Sequence, residues 1–254
     1  MRQVPQNLNS SSILLIGSGR LAQHLAHYFE LEKILFKTWS RKAQKPAELQ
    51  SLLAETEIIL LAISDSAIAG FIEEHKAGLI KKKCVHFSGA RVVLGAWSFH
   101  PLMSFSGEFY TREVYESMHF VIEEGAPKLN ELLPQLKNQY SFLAKEKRAL
   151  YHALCSMSGN FSVLLWEYAI RSFEKELGLK GEVLGPYLNQ IFQNINQFAI
   201  SPAESRKTVL TGPLARRDFE TIERHLLALK PTPMKSVYEA FVNYYEKSQQ
   251  ENAL

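Results

Sequence analysis

The strongest constraint on the fold is a glycine turn set between an apolar run and a helical pattern, within the stretch SSILLIGSGRLAQHLA of residues 11–26. Ile13, Leu14, Leu15 and Ile16 form an apolar run of strand length that ends at Gly17. The turn itself, Gly17-Ser18-Gly19-Arg20-Leu21-Ala22, has the form G-x-G-x-x-A, and each small residue has a physical task. Gly17 lets the chain leave the strand sharply. Gly19 has no Cβ to hold a pyrophosphate away from the backbone, and Ala22 allows close packing of the helix on the sheet. A helix opening there offers free N–H groups and the positive end of its dipole to phosphate. Leu21, Leu25, Tyr28 and Phe29 then recur at helical spacing. In this context the turn reads as a dinucleotide-binding element, with Gly17, Ser18, Gly19, Arg20 and Leu21 as cofactor contacts.

Residues 34–39, ILFKTW, read as the next strand, and they end in Ser40-Arg41-Lys42, with Lys45 following. This is about 20 residues beyond the turn, where the fingerprint places its ribose-reading residue. An NAD-selective chain carries Asp or Glu at that point. Ser40 and Arg41 suit a ribose 2′-phosphate instead, since guanidinium matches its charge and acceptor oxygens. The expectation is NADP, and the plain alternative is a solvated basic loop.

Residues 57–64, EIILLAIS, are nearly all apolar, the pattern of a strand covered on both faces of a parallel sheet. Residues 83–87, KCVHF, read as a further strand ending in Ser88-Gly89-Ala90. Ligands sit at strand carboxyl ends in open α/β sheets, which makes Ser64, Asp65, His86, Ser88 and Gly89 candidate cleft residues. Asp65 is equally readable as a helix cap. Residues 96–106, AWSFHPLMSFS, read as an unusually aromatic loop. His100 there is a cleft residue or a packed core histidine; no neighbouring cluster has metal-ligand spacing, so no metal is expected. Residues 119–122 and 140–144 read as two more strands around a helix near 128–136, and the alternation indicates a doubly wound parallel sheet.

From about residue 146 the strand pattern ceases. Residues 146–176 read as one long helix, with Leu150, Leu154, Met157, Phe161, Leu164 and Tyr168 at steps of three and four. Gly178 and Gly181 end it. Helices at 183–198, 218–229 and 236–246 follow. The domains expected are therefore an α/β nucleotide-binding domain over 1–145 and an all-helical domain over 146–254, with the site in the cleft between them. His152, Ser156 and Asn160 stand at successive four-residue steps and so on one face of the long helix. His152 is a candidate proton donor, because an unperturbed imidazole exchanges its proton near neutral pH, with a buried structural histidine as the alternative. Thr211-Gly212-Pro213-Leu214-Ala215-Arg216 reads as an anion grip or as a capped helix start.

The net charge of +3 is small and no long basic run occurs, which argues against nucleic acid as the partner and fits an anionic small ligand. Cys84 and Cys155 stand in apolar contexts and read as small hydrophobes in a reducing compartment. The opening MRQVPQNLNS lacks the apolar core of a signal peptide, and no apolar run has membrane-spanning length. The expectation is a cytoplasmic protein with no membrane partner.

Taken together, these residues resemble the Rossmann-like proteins with a DUF2520 helical domain. That family lies in the wider 6-phosphogluconate dehydrogenase C-terminal-like group, with ketopantoate reductases and pyrroline-5-carboxylate reductases. The resemblance runs over about 12–229. It rests on the Gly17 turn, His86-Phe87-Ser88-Gly89-Ala90, Phe99-His100-Pro101-Leu102, Tyr151-His152-Ala153 with Asn160, and Leu210-Thr211-Gly212-Pro213-Leu214-Ala215-Arg216 with Asp218 and His225. It implies an NADP-binding fold, a homodimer formed through the helical domain, and an NADP-dependent oxidoreductase. The implied reaction is reduction of a small 2-oxo acid, ketopantoate foremost, in pantothenate synthesis. An imine reductase and a non-catalytic NADP-binding sensor are the alternatives. The better-known relatives carry a Lys-x-x-x-Asn pair on the long helix. Here Ser156 stands four residues before Asn160, so the proton must come from elsewhere: His152 first, Lys147 second. Asn160 would then orient the substrate oxygen, with His100, Ser156, Thr211 and Arg216 as the further substrate contacts.

Overall fold

The computed structural model describes residues 12–251; Ser11 and the segment before it lie outside the described residues. The chain divides into two compact units, one ending at Glu167 and the other beginning at Tyr168.

The first unit is built on the apolar strands anticipated above. In order it contains β1 (Ile13–Ile16), α1 (Arg20–Leu31), β2 (Lys37–Trp39), α2 (Pro46–Glu55), β3 (Ile58–Leu61), α3 (Asp65–Glu74), α4 (Lys76–Leu79), β4 (Lys83–His86), β5 (Trp97–Leu102), α5 (Arg112–Glu116), β6 (His119–Glu123), α6 (Leu129–Leu132), β7 (Tyr140–Leu143) and α7 (Arg148–Cys155). Seven strands form one sheet in the order β2-β1-β3-β4-β5-β6-β7. Every residue of β1 and β3 is buried. Side chains alternate between faces along each strand. Ile13 and Leu15 join Leu25, Tyr28 and Phe29 of α1 on one face. Leu14 and Ile16 join Leu49 and Leu53 of α2 and Ile68 of α3 on the other. Helices on both faces are what make the strands apolar throughout.

β1 to β5 run parallel, but β5 pairs antiparallel with β6, from Phe99 opposite Ile122 to Leu102 opposite His119. The doubly wound parallel sheet expected is present, with that one antiparallel step. The aromatic segment expected to be a loop is strand β5. Ser98, Phe99 and Pro101 are buried within it, so its aromatic character is core packing. Pro101 is tolerated because β4 pairs only with Trp97 and Ser98, which leaves the later residues unpaired on that side. The helix expected near 128–136 shortens to the single turn of α6.

The order reverses at β1, whose two neighbours are β2 and β3. The crevice beyond the carboxyl ends of β1 and β3 is thus the topological switch point, where open α/β sheets bind ligands.

The long helix is not uniform. α7 runs into a π-helical stretch over Ser156–Phe161 and then α8 (Ser162–Lys175). The wider turn shifts the phase of side chains around the axis. Asn160, within this stretch, is exposed, whereas His152 and Ser156 are half-buried. The two units divide inside α8, and α7 side chains are tied to β5 and to the turn after β4.

The second unit holds the rest of α8, then α9 (Gly185–Ile200), α10 (Pro213–Arg216), α11 (Phe219–Leu229) and α12 (Met234–Glu251). Gly212, at φ +85°, makes the turn into α10 in a conformation open mainly to glycine. Asp218 caps α11 by accepting from the Thr221 N–H at 3.1 Å. Among the described residues of this unit, only Leu184 and Ile222 are fully buried apolar side chains. No helix among the described residues is long and apolar enough to cross a membrane.

Candidate functional site

A cleft of about 830 Å³ opens at the switch point. Gly17, Ser18, Gly19, Arg20 and Leu21 line one wall, Ser40, Arg41 and Lys42 another, and Ser64 a third. Gly17 to Leu21, Ser40, Arg41 and Ser64, read from the sequence as cofactor or cleft contacts, thus share one cavity. Gly17 sits at φ +143°, and a Cβ there would stand 2.1 Å from the Ala62 carbonyl oxygen, so β1 and β3 approach as closely as they do only because it is glycine. At Gly19 a Cβ would meet nothing within 4 Å, so the backbone there faces open space. Gly19 caps α1 without a side-chain hydrogen bond, and the first turn of α1 carries no acidic residue. The N–H groups at this end are therefore unclaimed by side chains, which leaves a site suited to an anion. Phe71 and His75, 4.5 Å apart between ring centroids, complete the cleft wall. Sequence reading missed them, because an aromatic pair one helical turn apart has the same pattern as a core stripe.

Asp65, Ser88 and Gly89 stand beside this cleft and do not line it. Asp65 opens α3, and its carboxylate accepts from the Ser88 hydroxyl at 2.5 Å. The same Ser88 oxygen accepts from the Arg91 N–H at 3.1 Å. This pins the turn after β4 to the start of α3. His86 is fully buried and so is not the cleft residue expected of it. Its Nδ1 accepts from the Ser88 N–H at 3.3 Å, and its Nε2 has no partner. Burial, reinforced by the charge of Arg148, pushes its pKa down to about 4.

A second group gathers on Gly89. A Cβ at Gly89 would lie 2.4 Å from Cδ2 of His152 and 3.1 Å from Cδ2 and Nε2 of His100. Only a hydrogen at that position lets both rings rest on the turn. The two imidazoles meet nearly edge to face at 5.8 Å between centroids. His100 reaches this place because it stands on β5, and His152 because it stands on α7. His100 Nδ1 is 2.7 Å from the hydroxyl of Tyr151. Arg148, also on α7, is fully buried; its guanidinium donates to the Ser88 carbonyl at 3.3 Å and to the Ser98 hydroxyl. Ser98 in turn donates to the Ser88 carbonyl at 2.6 Å. Arg148 has no signature in the sequence, since arginine is normally exposed, and Tyr151 stands in the Tyr151-His152-Ala153 stretch with no role read for it.

Structure thus brings together the glycine turn with Ser40, Arg41 and Ser64, and His100 with His152 on Gly89. Ser156 opens the π-helical stretch and Asn160 lies exposed within it. Thr211 and Arg216 lie exposed in the second unit. Cys84 and Cys155 are free thiols. Among the described residues, no group of three or more His, Cys, Asp and Glu side chains is placed to hold a metal ion.

Several solved structures share this architecture. A Bacteroides fragilis protein to which an NADP oxidoreductase activity is ascribed is 22% identical, with 94% of this chain and 98% of that one covered at a TM-score of 0.69. An imine reductase of Streptomyces aurantiacus is 14% identical, covering 95% of each chain at a TM-score of 0.65. A pyrroline carboxylate reductase of Plasmodium falciparum, solved with NADP bound, is 12% identical, covering 93% of this chain and 97% of that one at a TM-score of 0.58. At such identities the likeness is one of fold. No curated protein matches the sequence. Residues 120–245 match the family model described as "Domain of unknown function (DUF2520)". That match places a DUF2520 domain over the part of the chain from β6 to α12, after the Rossmann-type strands β1 to β5.

Proposed function

We propose that this chain is an NADPH-dependent reductase of a small 2-oxo acid, with ketopantoate the first substrate to test. The observation that carries the reading is the cleft itself, where the glycine turn and the Ser40-Arg41-Lys42 wall face one cavity at the switch point. The cofactor, when bound, supplies the hydride. The uncapped start of α1 would hold its pyrophosphate, and Arg41 its 2′-phosphate. Ser88 and Gly89 form the turn beside which the carbonyl would lie. The His152 ring rests on that turn and makes no hydrogen bond among the described residues, so a ring nitrogen is available to protonate the developing alkoxide. The roles of Ser156, Asn160, Thr211 and Arg216 rest on the sequence pattern alone.

Imine reduction is a second reading, favoured by the names of two of the three structures compared above. The proposal extends to a cytoplasmic homodimer formed through the helical unit. Ile200, Leu227 and Tyr244 there are 76%, 69% and 71% exposed, far more apolar surface than a lone helical unit commonly leaves to water. The test is NADPH oxidation with millimolar ketopantoate, then with cyclic imines. Turnover that requires ketopantoate supports the first reading, and turnover with imines alone the second. Tight NADPH binding with no turnover would leave a sensor.

A further inference from the structure

We propose that His100 is a catalytic hydrogen-bond donor, presenting Nε2–H beside Gly89, and that Tyr151 is the positioning residue that fixes this tautomer. The inference rests on the reductase reading and gives the two histidines separate tasks: His152 delivers the proton, and His100 polarises the oxygen or nitrogen that receives it.

The geometry divides the ring of His100 into two edges. Nδ1 faces the Tyr151 hydroxyl at 2.7 Å. The Cδ2–Nε2 edge lies over Gly89, at the carboxyl end of β4. Nε2 has no hydrogen-bond partner among the described residues, whereas Nδ1 has one. A neutral imidazole carries one N–H and one bare nitrogen, and the partner of one decides the state of the other. If Nδ1 is bare, the phenol proton of Tyr151 has a good acceptor and the imidazole proton sits on Nε2, over the turn. If Nδ1 carries the proton, the phenol proton is left with the Cys155 sulfur beside it, a weak acceptor. The first arrangement satisfies more groups.

The surroundings keep the ring neutral. Burial comes first in holding the His100 pKa down to about 4, followed by His152 and Arg148 of α7, with Asp65 of α3 opposing. Burial likewise raises the pKa of Tyr151, so its hydroxyl keeps its proton through the neutral range. A neutral imidazole of lowered pKa is an effective electrophilic donor to a carbonyl, because it strengthens its hydrogen bond as negative charge develops without surrendering its proton. The balance of the step is simple. The reduced cofactor, when bound, would supply the hydride and be oxidised; the hydride adds to the carbonyl carbon, the π electrons pass to oxygen, the N–H bond of protonated His152 breaks as the O–H bond forms and leaves a neutral ring, and His100 keeps Nε2–H throughout.

The experiment is long-range proton–nitrogen NMR on the full chain labelled in its histidines, read from pH 5 to 8, for the unaltered chain and Tyr151→Phe. The expected result is a His100 that stays neutral with its proton on Nε2, and that loses this fixed tautomer in Tyr151→Phe. A proton resident on Nδ1, or a titration at the ordinary value near 6.5, overturns the inference. A second measurement uses whichever carbonyl or imine the unaltered chain turns over. Tyr151→Phe should lower kcat about tenfold and His100→Ala about a hundredfold, both with NADPH affinity unchanged, and His100→Gln, which keeps an N–H donor, should recover part of the loss. Full turnover in Tyr151→Phe removes its positioning role, and full turnover in His100→Ala removes the donor. Failure of the reductase reading looks different: the unaltered chain turns over nothing. The catalytic assignment then falls with it, while the NMR result stands separately on the tautomer.

Discussion

Gly17 and Gly19 are two residues apart in one motif, yet the structure assigns them different penalties for the same added methyl group. At Gly17 the Cβ of Gly17→Ala would sit 2.1 Å from the Ala62 carbonyl oxygen and 2.8 Å from its carbon. Neither side can yield cheaply. The Gly17 N–H donates to the Trp39 carbonyl at 2.9 Å, and the Ala62 N–H donates to the Ile16 carbonyl at 2.8 Å, so the clash falls between backbones locked in the sheet. The φ of +143° adds a conformation that alanine resists. Backbone strain of about 1–3 kcal/mol and overpacking of about 1–3 kcal/mol sum to roughly 2–6 kcal/mol, a large part of the about 5–15 kcal/mol that holds a domain folded. At Gly19 the φ is −75° and a Cβ meets nothing, so Gly19→Ala should leave stability within about 0.5 kcal/mol of the unaltered chain. Its methyl instead occupies the space a pyrophosphate would enter, and NADPH affinity should fall at least about tenfold, or about 1.4 kcal/mol. Urea unfolding gives the first quantity and fluorescence titration with NADPH the second. A Gly17→Ala chain of unaltered stability would refute the clash argument. A Gly19→Ala chain that binds NADPH undiminished would remove the phosphate from this turn.

Four further outcomes follow from the same geometry. Arg41→Ala should weaken NADPH about tenfold while leaving NADH unchanged, as read by calorimetry, because only the 2′-phosphate needs the guanidinium. His152→Ala should lower kcat about a hundredfold with NADPH affinity retained, since proton delivery is lost and the cofactor cleft is untouched; unchanged turnover would take His152 out of the chemistry. His86 makes the fold acid-sensitive. Its folded pKa of about 4 lies below the ordinary 6.5, so the unfolded chain binds the proton first as pH falls. The stabilising contribution of neutral His86, on the order of 3 kcal/mol, is whole above pH 6.5 and is lost as pH falls through about 4. Urea midpoints measured along that range should fall less steeply in His86→Asn, whose amide oxygen can still accept from Ser88. Sedimentation should show a dimer that Leu227→Glu shifts toward monomer, because Leu227 is 69% exposed on α11 and a charge there would oppose burial between copies.

The sequence by itself determined the first unit's plan. A wholly apolar strand, a glycine turn and an amphipathic helix can only stack as a covered parallel sheet, and the basic end of β2 was readable from its distance to that turn. These signals are local, fixed by the pleat, by the helical repeat and by the need of one backbone for a residue without Cβ. What only the tertiary structure decided is what meets across long separations in the chain. Residues 96–106 read as a loop because a strand holding serine, histidine and proline breaks the apolar rule; it is a strand because β4 and β6 flank it. The row of His152, Ser156 and Asn160 followed from ideal helical spacing, and only the structure shows the π-helical stretch that runs from Ser156 through Asn160. Arg148 gave no sequence signal and Tyr151 none for its role, since neither acquires a special environment until α7 packs against β5 and the turn after β4. His100 on a strand, His152 on a helix and Gly89 on a turn become one group only there, because their contact depends on packing between elements and on no spacing along the chain.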